Sequence, residues 1–375
     1  MKKLDLIFFD AGGGHRAAAT ALHLAIQQQQ RPWEVRLVNL QEVLDPLDIF
    51  RKLTGRRLQD SYNLMLRKGW TLGTPQMLRA LHFLIRLYHP AQVRLLEQYW
   101  RQSRPDLAVS LIPNFNRALG ESLRRALPGT PLVTILTDLA DYPPHFWIER
   151  QEQYLICGSE YAVRQARALG HSAERVFRTS GMILHPRFYE PVALDRAAEK
   201  ERLGLKPDRP TGLVLFGGEG LPVMLKIAQR LERARLDLQL ILICGHNEKL
   251  RQALLAGRHR LRRLVVGFTD QVRYYMHLAD FFIGKPGPGS ISEALAMKLP
   301  VIVASNAWTM PQERYNARWI RENGFGIVVR SFRHVADAVR EMLEPADFQR
   351  YRANAASTSN RAVFEIPDIL EKILP

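Results

Sequence analysis

Cysteine is nearly absent: the 375-residue chain carries two, Cys157 and Cys244. That excludes a disulfide-stapled scaffold and a cysteine-rich zinc fold. Each lies inside an apolar run, Tyr154-Leu155-Ile156-Cys157 and Leu240-Ile241-Leu242-Ile243-Cys244, so both read as buried thiols suited to a reducing cytoplasm. Long apolar runs are missing as well. Nothing approaches the ~18–20 apolar residues that span a bilayer, so membrane contact is expected to be peripheral. Met1 to Phe9 reads as two lysines and a short strand without a signal core, and nothing there directs export. Acidic residues are few, 37 against 53 basic ones, which gives a net charge of +16 and a pI near 10.1. Such a field attracts polyanions, whether nucleic acid, anionic lipid or phosphorylated substrates, without choosing among them. Familiar chemical signatures are missing too. The eleven histidines are scattered without an H-E-x-x-H, so no metal site is expected, and neither a G-x-S-x-G elbow, a G-x-G-x-x-G fingerprint nor a P-loop occurs.

What is present points to an α/β chain. At 46% hydrophobic and 24% charged residues the composition is that of a globular protein, and the length suits two cores rather than one. Short apolar runs alternate with helical patterns, the signature of doubly wound parallel sheets. Strands are expected at 4–9, 34–39, 107–112, 132–137 and 154–157, and again at 212–216, 238–244, 263–266, 281–284 and 300–304. Between the two series, residues 177–209 break the rhythm and hold the domain boundary. Residues 44–100 contain no good strand but many helix formers mixed with basic residues, and read as a helical insertion.

Glycine loops mark the expected sites, because ligands collect at the carboxyl edge of a parallel sheet. Gly12-Gly13-Gly14-His15 joins the first strand to a helix; the open backbone at Gly13 and Gly14 admits a ligand, and His15 near the positive helix end should stay neutral and able to accept a proton. A capping or packing role for His15 is the alternative. Gly217-Gly218-Glu219-Gly220 and Gly245-His246-Asn247 follow two strands of the second series. The strongest segment is Lys285-Pro286-Gly287-Pro288-Gly289-Ser290-Ile291-Ser292-Glu293, a stiff loop with hydroxyls at an expected helix start and a lysine beside it, suited to phosphate. Gln312-Glu313-Arg314-Tyr315-Asn316 offers paired donors and acceptors for sugar hydroxyls, although on these residues alone a solvated helix start is the better account.

Together with Val266-Gly267-Phe268, these motifs in this order resemble monogalactosyldiacylglycerol synthases and processive diacylglycerol glucosyltransferases, and more distantly the GlcNAc transferase that makes lipid II. The resemblance implies a GT-B fold, two Rossmann-like domains facing across a cleft. Residues 1–185 would bind acceptor and membrane, 186–350 the UDP-sugar, and 351–375 would return to the first domain as a helical segment. It implies inversion at the anomeric carbon without a metal or other cofactor. Phe268 and Thr269 would border the uracil, Glu293 the ribose, Gly289 and Ser290 the diphosphate, and Gln312 and Glu313 the sugar. Gly217, Gly218, Glu219, Gly220, Gly245, Asn247, Lys285, Gly287 and Asn316 complete the expected donor site. His15 is the candidate base, with Asp138 as a second candidate or its orienting partner. Two departures stand out: Pro286 and Ser290 replace the alanine and threonine common in the donor loop, and Ile183 and His185 stand where relatives carry proline and arginine, leaving Arg187 as a substitute.

The expected reaction moves a hexose from UDP-glucose or UDP-galactose to diacylglycerol or another lipid at the cytoplasmic face of a membrane. Trp70, Arg79 and Arg86 in the insertion would meet an anionic surface, where each basic residue adds about 1 kcal/mol. Alternatives are a transferase acting on a polyprenyl-diphosphate-linked sugar, a UDP-sugar epimerase, and a non-enzymatic nucleic-acid binder. The last rests on charge alone, since no specific nucleic-acid motif is present.

Overall fold

The structure, a computed structural model, describes residues 1–10, 13–47, 85–142, 145–307 and 309–375. These form two compact units. The first holds residues 1–47, 85–186 and 360–375, and the second Arg187–Ser359.

In the first unit, β1 (Lys2–Phe8), β2 (Trp33–Asn39), β3 (Leu107–Ser110), β4 (Leu132–Ile135), β5 (Tyr154–Cys157) and β6 (Val176–Arg178) pair in parallel in the order β2-β1-β3-β4-β5-β6. Leu6 aligns with Leu37 on one side and Val109 on the other. Helices cover the sheet, so its central strands are apolar on both faces and Leu4, Leu6, Ile7 and Val109 are fully buried. The helix Gly14–Gln28 packs by burying Ala18, Ala19, Leu22, Ala25 and Ile26 on one stripe. The alanines let it approach the sheet, and each fully buried leucine or isoleucine contributes roughly 1.5–3 kcal/mol.

That helix also receives the C-terminus. Ile366, Ile369 and Leu370 of the helix Ala362–Ile373 share a core with Leu22 and Ile26, while Arg31 pairs with Asp368 and Glu371. The return begins later than the sequence suggests. The helix Pro345–Ala356 stays in the second unit, and only residues from Asn360 onward join the first.

In the second unit, β7 (Thr211–Leu215), β8 (Gln239–Ile243), β9 (Arg263–Val266), β10 (Phe281–Gly284), β11 (Val301–Ala304) and β12 (Gly326–Val329) form a parallel sheet in the order β12-β11-β10-β7-β8-β9. Renumbered from its own first strand this is the 3-2-1-4-5-6 order of a dinucleotide-type sheet. Strand order reverses between β7 and β10, where Ile283 lies opposite Val214. The loops leaving these two strands diverge to opposite faces and open a crevice at their carboxyl ends. In the first sheet the reversal lies between β1 and β3.

Candidate functional site

The two loops at the reversal point of the second sheet are Phe216–Gly220, after β7, and Lys285–Gly289, after β10. The latter runs into the helix Pro288–Ala296, which starts two residues earlier than expected from Ser290. Pro288 at the first helical position loses no hydrogen bond there and its fixed φ suits the helix. Ile291, Ala294 and Leu295 bury the inner stripe. The first turn carries no acidic residue, Gly289 is exposed, and no atom lies within 4 Å of where its Cβ would be. The N–H groups of Gly289 and Ser290 therefore lead the positive end of the helix into open space, an arrangement that accepts an anion.

Beneath this loop the side chains brace rather than reach outward. Lys285 Nζ donates to Glu313 Oε1 at 2.8 Å, and Glu313 is 6% exposed. Asn316 is fully buried, its amide donating to the Pro286 carbonyl at 2.8 Å. The expected donor contact of Asn316 is thus corrected: it holds the loop from below, while its Oδ1 and the Oε1 of Gln312 are buried without a partner. Gln312 is half-buried beside Met310.

The glycines after β7 and β8 interlock. A Cβ on Gly220 would lie 2.1 Å from the Cys244 carbonyl oxygen and one on Gly245 2.0 Å from that of Gly218, and both residues have positive φ. His246 N donates to the Gly218 carbonyl at 2.9 Å. Asn247, expected at the donor, instead caps the helix Glu248–Leu255 by accepting from Leu250 N and donates to the Gly220 carbonyl. Gly217 and Gly218 face open space, with Glu219 half-buried beside them.

Glu293, one turn into the helix, has its carboxyl pushed up to about 7 by burial, opposed by the nearby Arg187 guanidinium. Arg187 also donates to the Asp270 carbonyl at 2.7 Å, tying it to the loop after β9. In that loop Thr269 Oγ1 caps the next turn by accepting from Gln271 N, and Phe268 is 61% exposed. Its ring stacks on His246, with centroids 4.0 Å apart. Sequence reasoning passed over His246; its signal was an aromatic-type ring between a strand-end glycine and a helix cap.

In the first unit the helix after β1 begins behind Gly13, which adopts φ 78°, a left-handed conformation that glycine takes at no steric cost. Gly13 and Gly14 are exposed with nothing within 4 Å. His15 sits in the first turn, half-buried, its Nδ1 3.1 Å from Thr137 Oγ1. Desolvation drives its pKa down to about 4 against the opposing hydrogen bond to the Leu111 backbone. The ring is therefore neutral at pH 7, with one N–H and one lone pair. Leu111 follows β3, so the ring stands at the reversal point of its sheet.

The hydroxyl that meets His15 belongs to Thr137, the neighbour of the expected partner Asp138. Asp138 Oδ2 accepts the indole N–H of Trp147 at 3.0 Å, and that indole lies 5.9 Å from the His15 ring. Trp147 is fully buried, its backbone N–H held by Asp141 and its carbonyl by Asn116. Thr137 and Trp147 are thus site residues that motif reading did not supply. Arg86 lies in helix and is exposed beside Leu87, which is 61% exposed; Trp70 and Arg79 lie outside the described residues. Among the described residues no helix is long and apolar enough to cross a membrane.

Residues 214–373 match the glycosyltransferase family 28 C-terminal domain. The probable monogalactosyldiacylglycerol synthase 2 of Oryza sativa subsp. japonica is 27% identical over 99% of this chain and 81% of its own. Among solved structures, the S. aureus MnaA–UDP complex superposes with a TM-score of 0.64 at 16% identity, covering 100% of this chain and 97% of that one. Acinetobacter baumannii MurG gives 0.63 at 14% identity, covering 99% and 100%. The chain therefore has the GT-B fold and is a UDP-sugar glycosyltransferase, similar in residues 214–373 to the glycosyltransferase family 28 C-terminal domain and over nearly its whole length to the monogalactosyldiacylglycerol synthases.

Proposed function

We propose that the protein transfers a hexose from UDP-glucose or UDP-galactose to diacylglycerol, with inversion and without a metal, at the cytoplasmic face of a membrane. The observation that carries the reading is the neutral His15 at the carboxyl edge of the first sheet, beside exposed glycines that leave room for an acceptor. The name of the rice relative supports the lipid acceptor.

In this reaction the acceptor hydroxyl attacks the anomeric carbon as the bond to UDP breaks. The proton passes to the lone pair of His15, and the bonding electrons leave on the β-phosphate. His15 is suited to the first task because burial keeps it unprotonated. The Gly289 and Ser290 N–H groups at the helix terminus suit the second, since preorganised dipoles stabilise charge where it develops. Glu293 would accept from the ribose hydroxyls, with Arg187 favouring its charged form. An anionic membrane surface is the proposed partner of Arg86 and the exposed Leu87, reinforced by the +16 net charge.

The test is incubation with each UDP-hexose and diacylglycerol in anionic vesicles, in chelator, followed by mass analysis of lipids. A β-linked glycolipid is expected; no glycolipid from either donor would sink the reading. An epimerised UDP-sugar, or transfer to a polyprenyl-diphosphate-linked sugar supplied in a parallel incubation, would assign the fold to the competing activities.

A further inference from the structure

We infer that His246 is a positioning residue for the nucleobase end of the donor: it clamps Phe268 so that the ring stands as a fixed stacking platform. The inference rests on the UDP-sugar reading of the second unit and extends it to a side chain which that reading leaves without a role.

The geometry begins with adjacent strands. β8 and β9 pair in register, and the ladder continues past β8 through Cys244 N donating to the Val266 carbonyl at 2.8 Å. The chains then part, and each places a ring two residues further on, His246 after Cys244 and Phe268 after Val266. The rings meet face to face, centroids 4.0 Å apart and planes inclined by 16°. Both residues are exposed, Phe268 by 61%. A phenylalanine left that open in water gains little from burial, so its placement needs another reason.

Stacking supplies one. With His246 against one face, the remaining exposure of Phe268 lies on its edges and opposite face, where a planar heterocycle can stack. The platform stands at the same sheet edge as the Gly289 and Ser290 N–H groups, so one ligand with a base and a diphosphate fits both features. His246 is itself fixed from behind: its N–H donates to the Gly218 carbonyl at 2.9 Å, and Asn247 next to it donates to the Gly220 carbonyl. The clamp thus joins the loops after β7, β8 and β9. Without the imidazole, Phe268 would sample several rotamers, and the ligand would bear the entropy of ordering it.

Calorimetric binding of UDP and of inorganic pyrophosphate to the full chain separates base from phosphate. For His246→Ala the UDP Kd is expected to rise about three- to tenfold, the scale of one aromatic pair. Pyrophosphate affinity stays at the wild-type value, and the donor KM rises by the UDP factor at unchanged kcat. His246→Phe, which keeps a stacking ring, holds UDP affinity within about twofold of wild type. UDP affinity unchanged or tighter in the alanine variant would overturn the inference, because the imidazole would then be idle or covering the platform. So would equal losses for UDP and pyrophosphate, or a phenylalanine variant as weak as the alanine one. Wild-type protein that binds no UDP would overturn the donor reading itself, and this inference with it.

Discussion

Lys285 and Glu313 meet at 2.8 Å under the loop that follows β10, with the glutamate almost wholly withdrawn from water. A carboxylate in that position needs its cation, since leaving one buried charge alone costs more than the pair contributes. Lys285→Met and Glu313→Gln are each expected to lower unfolding free energy in urea, the former by about 1–3 kcal/mol because it strands the carboxylate. The double variant Lys285→Met/Glu313→Leu should regain more than half of that loss. If it regains stability but its UDP affinity stays as low as that of Lys285→Met, the lysine contacts phosphate directly and bracing is not its main task.

The depressed pKa of His15 fixes the sign of a pH effect. A base of ordinary pKa would lose activity below about pH 6.5. Here the proton-accepting form persists down to about 4, so kcat at saturating donor should stay level from pH 8 to 5 and fall only below that. His15→Ala should reduce kcat by roughly 10²–10⁴ while UDP affinity survives. Thr137→Val, which removes the hydroxyl at Nδ1, should lower kcat less than His15→Ala does, with donor KM unchanged. An acid limb near pH 6.5 would show that the ring is more hydrated in solution than its surroundings indicate.

Much of this was legible in the sequence, and the misses share a cause. The spans for β5 and β10 were placed to the residue because buried parallel strands are nearly unbroken apolar runs, and that of β9, a partly exposed edge strand, through Leu264-Val265-Val266. The two strands overlooked, β6 and β12, are the outermost of their sheets. Val176-Phe177-Arg178 is only three residues long and ends on an exposed arginine, and Gly326-Ile327-Val328-Val329 opens on a glycine two residues after Gly324, a pattern that reads as a turn. Motif reading likewise located the loops but not their internal wiring. Asn316 and Asn247 look like ligand contacts because they are polar and adjacent to glycine loops. Their amides are used to hold those loops, a distinction carried by long-range backbone contacts that spacing does not reveal. Thr137 and Trp147 belong to no motif, and their side-chain pairing with His15, 122 residues away, and with Asp138, 9 residues away, is set by the fold.

Glu293 supplies a second pH dependence, of the ordinary sign for a carboxylate but displaced upward by burial. Its carboxyl is pushed up to about 7, so near neutrality half the molecules hold it protonated and poorly suited to accept from ribose hydroxyls. Uridine affinity, which avoids titration of the phosphates, should increase as pH rises from 6 to 8. Glu293→Gln should flatten the curve. Arg187→Ala should shift its midpoint upward, since the guanidinium is what opposes desolvation. A curve unchanged by Arg187→Ala would remove that residue from the site.

The glycines of the second unit divide into those demanded by the protein and those left open for a ligand, and alanine substitution separates them. Gly220 and Gly245 have φ of 54° and 57°, and an added methyl would run into a backbone carbonyl at each. Gly220→Ala and Gly245→Ala carry both left-handed strain, about 1–3 kcal/mol, and a clash that only backbone movement relieves. Both should unfold at lower urea concentration whether or not UDP is present. Gly289 and Gly218 meet no atom within 4 Å, and neither has the positive φ that resists a side chain. Gly289→Ala should therefore fold as stably as wild type, or slightly more so because alanine restricts the unfolded chain. Its methyl would nonetheless stand where the proposed diphosphate contact lies, so its UDP Kd should rise by about tenfold or more, the loss expected when one charge-assisted hydrogen bond is blocked. Urea midpoints paired with UDP titrations for the three variants test the division directly. A stable Gly289→Ala that binds UDP normally would move the phosphate contact away from this helix terminus, leaving the loop after β7 to provide it.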